Sequence, residues 1–184
     1  MFKIQLDSEL SINLLTPKYA GILVEALIEN QECLKEWLIW AETIPSVEEY
    51  KKTIIPMWLQ KFADNNGFET AIFYKDELIG MAGLHYIDWT NQATEIGYWL
   101  SNRWQGKGIM TRVVEGLTTY CFKELELNRV VIRAAVENRK SRAIPERLEF
   151  KEEGILRAAQ QIRGSSVDLA IYSMLKQDWK QRNK

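Results

Sequence analysis

With 184 residues, the chain is long enough for one domain with a sizeable core. Its 24 basic and 25 acidic residues leave a formal charge of -1, which argues against direct nucleic-acid binding, because neutralising phosphates takes a basic surface. Cys33, Cys121 and the single histidine, His85, are too few for a disulfide framework or a zinc centre, so no metal is expected. Both cysteines read as packing residues inside helices. Lys3, Asp7 and Glu9 interrupt the N-terminus where a signal peptide would be apolar, and no stretch approaches the ~20 apolar residues that span a bilayer. A soluble, cytoplasmic protein without a membrane partner is expected.

Leu10 to Leu15 reads as a strand. Thr16-Pro17 then opens a helix, with Thr16 as N-cap and Pro17 in the first helical position. Ile22, Leu23, Ala26 and Leu27 give that helix one buried stripe. A second helical stretch is expected from about Gln31 to Trp40. Ser46 and Glu49 form a capping-box pattern for a third helix, which Pro56 should kink or end. Ala71–Tyr74, the charged turn Lys75-Asp76-Glu77 and Leu78–Tyr86 read as a β-hairpin. Ala93–Leu100 is a further strand, and Gly106–Phe122 a helix with Ile109, Val113, Leu117 and Cys121 on one side. Arg129–Val136 is nearly all apolar, as expected of a strand covered on both faces. A short helix over Arg142–Leu148 and strands near Lys151–Gln160 and Val167–Leu175 complete the chain. The implied class is α+β: a mixed, mostly antiparallel sheet with helices on both faces.

The chemically informative stretch is Gln105-Gly106-Lys107-Gly108-Ile109-Met110, between a strand and an amphipathic helix. The first N–H groups of a helix have no intrahelical partner, and the helix dipole adds partial positive charge there. Glycines let the backbone approach an anion closely. Lys107 and Arg103 stand nearby. A Walker loop would need Gly-Lys-Ser/Thr, and a dinucleotide fingerprint three glycines in an N-terminal βαβ unit; neither fits. By spacing alone, an ordinary Gly-rich turn is as good a reading.

The neighbours of the loop carry a resemblance. Glu95-Ile96-Gly97-Tyr98-Trp99-Leu100, the Gln-Gly-Lys-Gly turn, Asn138-Arg139-Lys140-Ser141 and Arg147-Leu148-Glu149-Phe150 stand in the order seen in GNAT acetyltransferases. The chain most resembles the ribosomal-protein N-terminal acetyltransferase branch, over roughly Leu10 to Leu175. The resemblance implies a GNAT fold with a splayed parallel strand pair. It implies acetyl-CoA as co-substrate and a primary amine as acceptor, such as the N-terminal α-amine of a ribosomal protein.

Carried over residue by residue, Gln105 and Gly108 match the pyrophosphate loop, with the Gly106, Lys107, Ile109 and Met110 backbone beside them. Met110 replaces the usual Gly or Ala. The strand before the loop should splay from the Val131–Val136 strand and hold pantetheine through the main chain of Tyr98, Trp99 and Leu100. Asn138 matches an asparagine that contacts the cofactor arm, and Ser141 a position proposed as general acid. Glu149 replaces the glycine of a Leu-Gly-Phe pattern, so a mildly strained left-handed residue is expected there. Gln160 falls where some relatives carry a Glu thought to be the base.

For that base, Glu95 is the first candidate and His85 the second. Each has a structural alternative: an ion pair for Glu95, a satisfied strand residue for His85, and a helix N-cap for Ser141. A main-chain N–H near Trp99 or Leu100 would polarise the thioester carbonyl. Trp37, Trp40, Trp58 and Trp89 read as core residues by default, with the acceptor cleft as the alternative. Competing functions are acetylation of a small amine, such as a polyamine or aminoglycoside, and a non-catalytic acetyl-CoA-binding regulatory module. A homodimer or higher homo-oligomer is allowed.

Overall fold

A computed structural model describes residues 2–182. In chain order its elements are β1 (Lys3–Gln5), β2 (Leu10–Leu14), α1 (Ala20–Leu34), α2 (Val47–Glu49), α3 (Ile55–Ala63), β3 (Phe68–Tyr74), β4 (Glu77–Asp88), β5 (Ala93–Leu100), α4 (Ile109–Lys123), β6 (Arg129–Ala135), α5 (Arg139–Arg147), β7 (Lys151–Ile162), β8 (Ser165–Leu175) and α6 (Lys176–Arg182). The strands form one sheet in the order β1-β2-β3-β4-β5-β6-β8-β7. Every neighbouring pair is antiparallel except β5 and β6.

Helices cover both faces, as the α+β reading expects. On one face α4 lays Val113, Leu117 and Cys121 onto Ile96 of β5 and Ile132 of β6, joined by Ile144 of α5 and Trp179 of α6. On the other face α1 sets Leu23 and Leu27 against Met81 of β4 and Trp99 of β5, together with Tyr50 and Ile55. Side chains alternate along a strand, so Ile96, Tyr98 and Leu100 serve the α4 face while Trp99 serves the α1 face.

Several elements differ from the sequence expectation for physical reasons. The stretch from Gln31 is not a second helix: α1 runs unbroken to Leu34, and a 3₁₀ turn follows at Ile39–Glu42. Asn30 is no breaker, because it turns inward and donates from Nδ2 to the Ala26 carbonyl at 2.8 Å. Ile22 lies 43% exposed, and the buried stripe is Leu23, Ala26, Leu27, Asn30 and Leu34. Thr16 and Pro17 open that helix as expected, through a 3₁₀ turn, Pro17–Tyr19, that runs directly into α1, although the Thr16 side chain makes no capping bond. The Ser46 cap forms, accepting the Glu49 N–H at 3.2 Å. Pro56 does not end the helix, because a π-helical turn over Tyr50–Ile54 directly precedes it. A wider turn relieves the crowding that a proline ring imposes on the preceding carbonyls.

The helix after the Gly-rich turn starts at Ile109 rather than Gly106, with Gly108 as its left-handed cap. In β6 only Val130, Ile132, Ala134 and Ala135 are buried and Arg133 is exposed, so the strand is not covered on both faces. The short helix begins at Arg139, because Asn138 rather than Ser141 caps it. Cys121 is buried as expected, but Cys33 is exposed. Glu149 takes φ +61°, the left-handed conformation expected of it.

Candidate active site

The central feature is where β5 and β6 part. Their parallel pairing holds only at Ala93–Arg129, Thr94–Val130 and Glu95–Val131. Beyond that point β5 stays bonded to β4 as far as Leu100–Gly80, and β6 stays bonded to β8 as far as Ala135–Leu169. Each strand therefore keeps its outer partner and loses its inner one. The inner edge of β5 at Tyr98 and Leu100 faces an open seam, as the splay expectation requires, whereas the main chain of Trp99 turns to β4.

The Gly-rich turn sits at the end of that seam. Gly106 and Gly108 have φ of +77° and +70°, a region that other residues enter at a cost. A Cβ at either position would meet nothing within 4 Å, so the space over the loop is open. The first-turn N–H groups of α4, from Ile109 and Met110, point into it. The Gln105 side chain fixes the loop from below: Nε2 donates to the Leu100 carbonyl at 3.3 Å, and Oε1 accepts from Lys140 Nζ at 3.1 Å. Lys107 stacks its ammonium 4.4 Å from the Trp104 ring centroid, while Arg103 pairs with Glu77. An open cradle of left-handed glycines and orphan N–H groups, beside a strand edge that has lost its inner partner, fits the pyrophosphate and pantetheine arm of acetyl-CoA.

Across the seam, Asn138 Oδ1 accepts the Ser141 N–H at 3.1 Å. Ser141 Oγ donates to Tyr98 Oη at 3.3 Å, and Tyr98 donates to the Ser141 carbonyl at 3.1 Å. Burial pushes the Tyr98 hydroxyl well above its ordinary pKa, so it stays a neutral donor. The structure thus brings together Tyr98, Asn138 and Ser141.

A second cluster lies on the α1 face. Glu95 is buried, its side chain 7% exposed. Its Oε1 stands 3.5 Å from His85 Nδ1, and its Oε2 2.7 Å from an Arg133 guanidinium nitrogen. Burial alone would raise the Glu95 pKa. The His85 and Arg133 nitrogens outweigh it and hold the carboxyl below its ordinary value. On β3, Glu69 pairs with Lys61 of α3 at 3.0 Å, and burial raises its pKa. Gln160, opposite Val167 on the β7–β8 hairpin, completes the sequence candidates. Of the tryptophans, Trp58 packs with Tyr50 at 6.0 Å between ring centroids, whereas Trp40 and Trp89 are exposed and not core residues. Trp89 donates to the Asn65 carbonyl at 2.7 Å.

Sequence reasoning missed Arg133, Glu69 and Gly97. The signal was present: a charge inside an otherwise apolar strand, or a glycine in a strand interior, marks a partner or a close approach. Among the described residues no helix is long and apolar enough to cross a membrane, and no cluster of His, Cys, Asp and Glu could hold a metal ion.

A parallel pair that opens beside a Gly-rich turn at a helix N-terminus is the arrangement expected of an acetyltransferase of the GNAT class. Comparison with known proteins makes this specific. Residues 10–151 match the acetyltransferase (GNAT) domain family. YdaF of Bacillus subtilis (strain 168), a candidate ribosomal N-acetyltransferase, is 47% identical over 97% of this chain and 98% of its own. The crystal structure of a probable acetyltransferase superposes with TM-score 0.94 at 47% identity, covering 97% of this chain and 99% of that one. The ribosomal L7/L12 alpha-N-protein acetyltransferase RimL, in complex with coenzyme A, superposes with TM-score 0.91 at 26% identity, covering 97% and 99%. The chain belongs to the GNAT acetyltransferase family, in its ribosomal-protein N-acetyltransferase branch, and acetyl-CoA is its co-substrate.

Proposed function

We propose that this enzyme acetylates the N-terminal α-amine of a protein in the cytoplasm, with a ribosomal protein as acceptor. The observation that carries the reading is the seam. It opens at Gly97, between a loop built for an anion on one face of the sheet and a cluster of His85 and paired charges on the other. An acetyl group lying in the seam is exposed to an amine arriving on the face that carries His85, Glu95 and Glu69. The similarity to YdaF and RimL supports the choice of acceptor.

In this reading the main chain of Tyr98 and Leu100, on either side of Trp99, holds the pantetheine arm. The N–H groups of Gln105, Gly106, Lys107, Gly108, Ile109 and Met110 take the pyrophosphate, and Asn138 closes the mouth of the seam. The Tyr98–Ser141 pair stands where the leaving thiolate needs a proton, with Ser141 as donor. An α-amine, pKa about 8 against about 10.4 for lysine, offers on the order of a hundredfold more neutral nucleophile at a given pH.

A peptide pair tests the acceptor. One peptide has a free N-terminus and no lysine, and the other a blocked N-terminus and one lysine. Tandem mass spectrometry should place acetyl groups on the first; acetylation confined to the second removes the reading.

A further inference from the structure

We propose that His85 takes the proton from the acceptor amine, with Glu95 as the positioning residue that aims its ring and Gly97 as the residue that makes room for it. The assignment rests on the acetyl-transfer reading above and identifies the group that activates the nucleophile.

Three features of the fold converge on His85. The first is a β-bulge. Leu84 pairs with Ile96 and Ile87 with Thr94, so His85 and Tyr86 together oppose the single residue Glu95. Bulges re-aim side chains, and here the bulge turns His85 across β5. The second is Gly97. A Cβ built there would fall inside the imidazole, nearest Nε2. The ring occupies the space that any other residue at 97 would fill. Glu95 is the last β5 residue still paired with β6, so Gly97 stands just past the point where the strands part. Nε2 is thereby set over the opening of the seam. The third is the pairing of Glu95. A carboxylate 3.5 Å from Nδ1 favours the tautomer that carries its proton there and leaves the Nε2 lone pair free. The other Glu95 oxygen is held by Arg133, which stops the carboxylate from turning away. With both oxygens engaged, Glu95 is an anchor rather than a proton acceptor.

The charged groups around His85 are Glu95 on β5, Arg133 on β6, and Glu69 on β3 with its partner Lys61 on α3. Each carboxylate has its own cation. The His85 side chain is 51% exposed, so an amine can reach it.

The step balances as follows. An acceptor ammonium gives one proton to Nε2 and becomes a neutral amine. Its lone pair attacks the thioester carbonyl carbon, a C–N bond forms and the C–S bond breaks. The thiolate takes its proton from the Ser141 hydroxyl, the proton shed by the new amide nitrogen restores that hydroxyl, and the imidazolium returns its proton to water.

The test is the pH dependence of kcat at saturating acetyl-CoA and acceptor, which reports the base in the ternary complex. The assay uses whichever peptide the wild type acetylates, so a wrong acceptor class fails the earlier reading without touching this one. The wild type should show an acidic limb. His85→Gln should lose that limb, with kcat reduced ~100-fold or more. Glu95→Gln should retain it, with kcat reduced by about tenfold, because the ring loses the carboxylate that aims it. Added imidazole should restore turnover to His85→Ala, which a merely structural histidine would not allow. An unmoved limb in His85→Gln overturns the proposal. So does a His85→Ala protein that binds acetyl-CoA normally, is inactive and is not rescued.

Discussion

Gly108 caps α4 with φ +70° and has open space where a side chain would stand. A substitution there is therefore governed by backbone strain and by obstruction of the anion, not by collision within the protein. Gly108→Ala should cost ~1–2 kcal/mol in the left-handed region and weaken acetyl-CoA several-fold, because the loop can relax out of its binding conformation. Titration calorimetry checks this, and an unchanged Kd would take the loop out of the binding site. Glycine, with no Cβ, announces such a position in the sequence, which is why the Gln105–Met110 turn was legible. Polar side chains announce less. Asn138 and Ser141 both suit a helix cap, and only the fold shows that Asn138 takes it, freeing Ser141 Oγ for Tyr98. Ile22 was misassigned to the buried stripe because one helical position, about 100°, separates it from Leu23.

At the level of elements, β5 came out with its predicted bounds, since Gln92 and Ser101 flank an unbroken strand-forming run. Strand β7 was found but its exposure was not. Lys151 through Ala159 are exposed on this edge strand, whose charges and register shift discourage pairing with another chain. What ties β7 inward is Glu153, which reaches across β8 to Arg129 on β6 and accepts the Ser173 hydroxyl at 2.7 Å. The hydrogen bond from Arg129 is the main cause that draws the Glu153 carboxyl from its ordinary 4.5 down to about 2. A depressed carboxylate contributes stability that is present above the unfolded pKa and lost as pH falls through the folded one. Glu153→Gln should therefore lower Tm near pH 6, and its difference from wild type should shrink between about pH 4.5 and 2. Thermal melts across that range read it. A constant difference would mean that the pair contributes through packing rather than charge.

Over the whole molecule, function depends on keeping the two faces of the sheet in register across the seam. Periodicity showed that helices lie on both faces. The seam itself came only from the resemblance, because parting strands leave no mark on an apolar pattern. One side chain links the two sides directly. Asn30, buried on α1, donates from Nδ2 to Ser101 Oγ at 3.2 Å and accepts the Asn102 N–H at 2.8 Å on Oδ1. Ser101 in turn donates its N–H to the Ile79 carbonyl at 2.8 Å. Asn30 thus pins the chain where it leaves β5 and heads for the Gly-rich turn, from a helix that belongs to the opposite face. Asn30→Leu keeps the branched shape and the number of side-chain heavy atoms but orphans Ser101 Oγ and the Asn102 N–H, at a cost of ~1–3 kcal/mol. For a chain of this size each kcal/mol lowers Tm by ~2–4 °C. Because the loosened segment leads into the anion loop, acetyl-CoA should also bind several-fold more weakly at temperatures where the variant is fully folded. Calorimetry on the folded variant, beside its melting curve, separates the two effects. A lowered Tm with wild-type acetyl-CoA affinity would make Asn30 a stability residue with no hold on the cofactor loop.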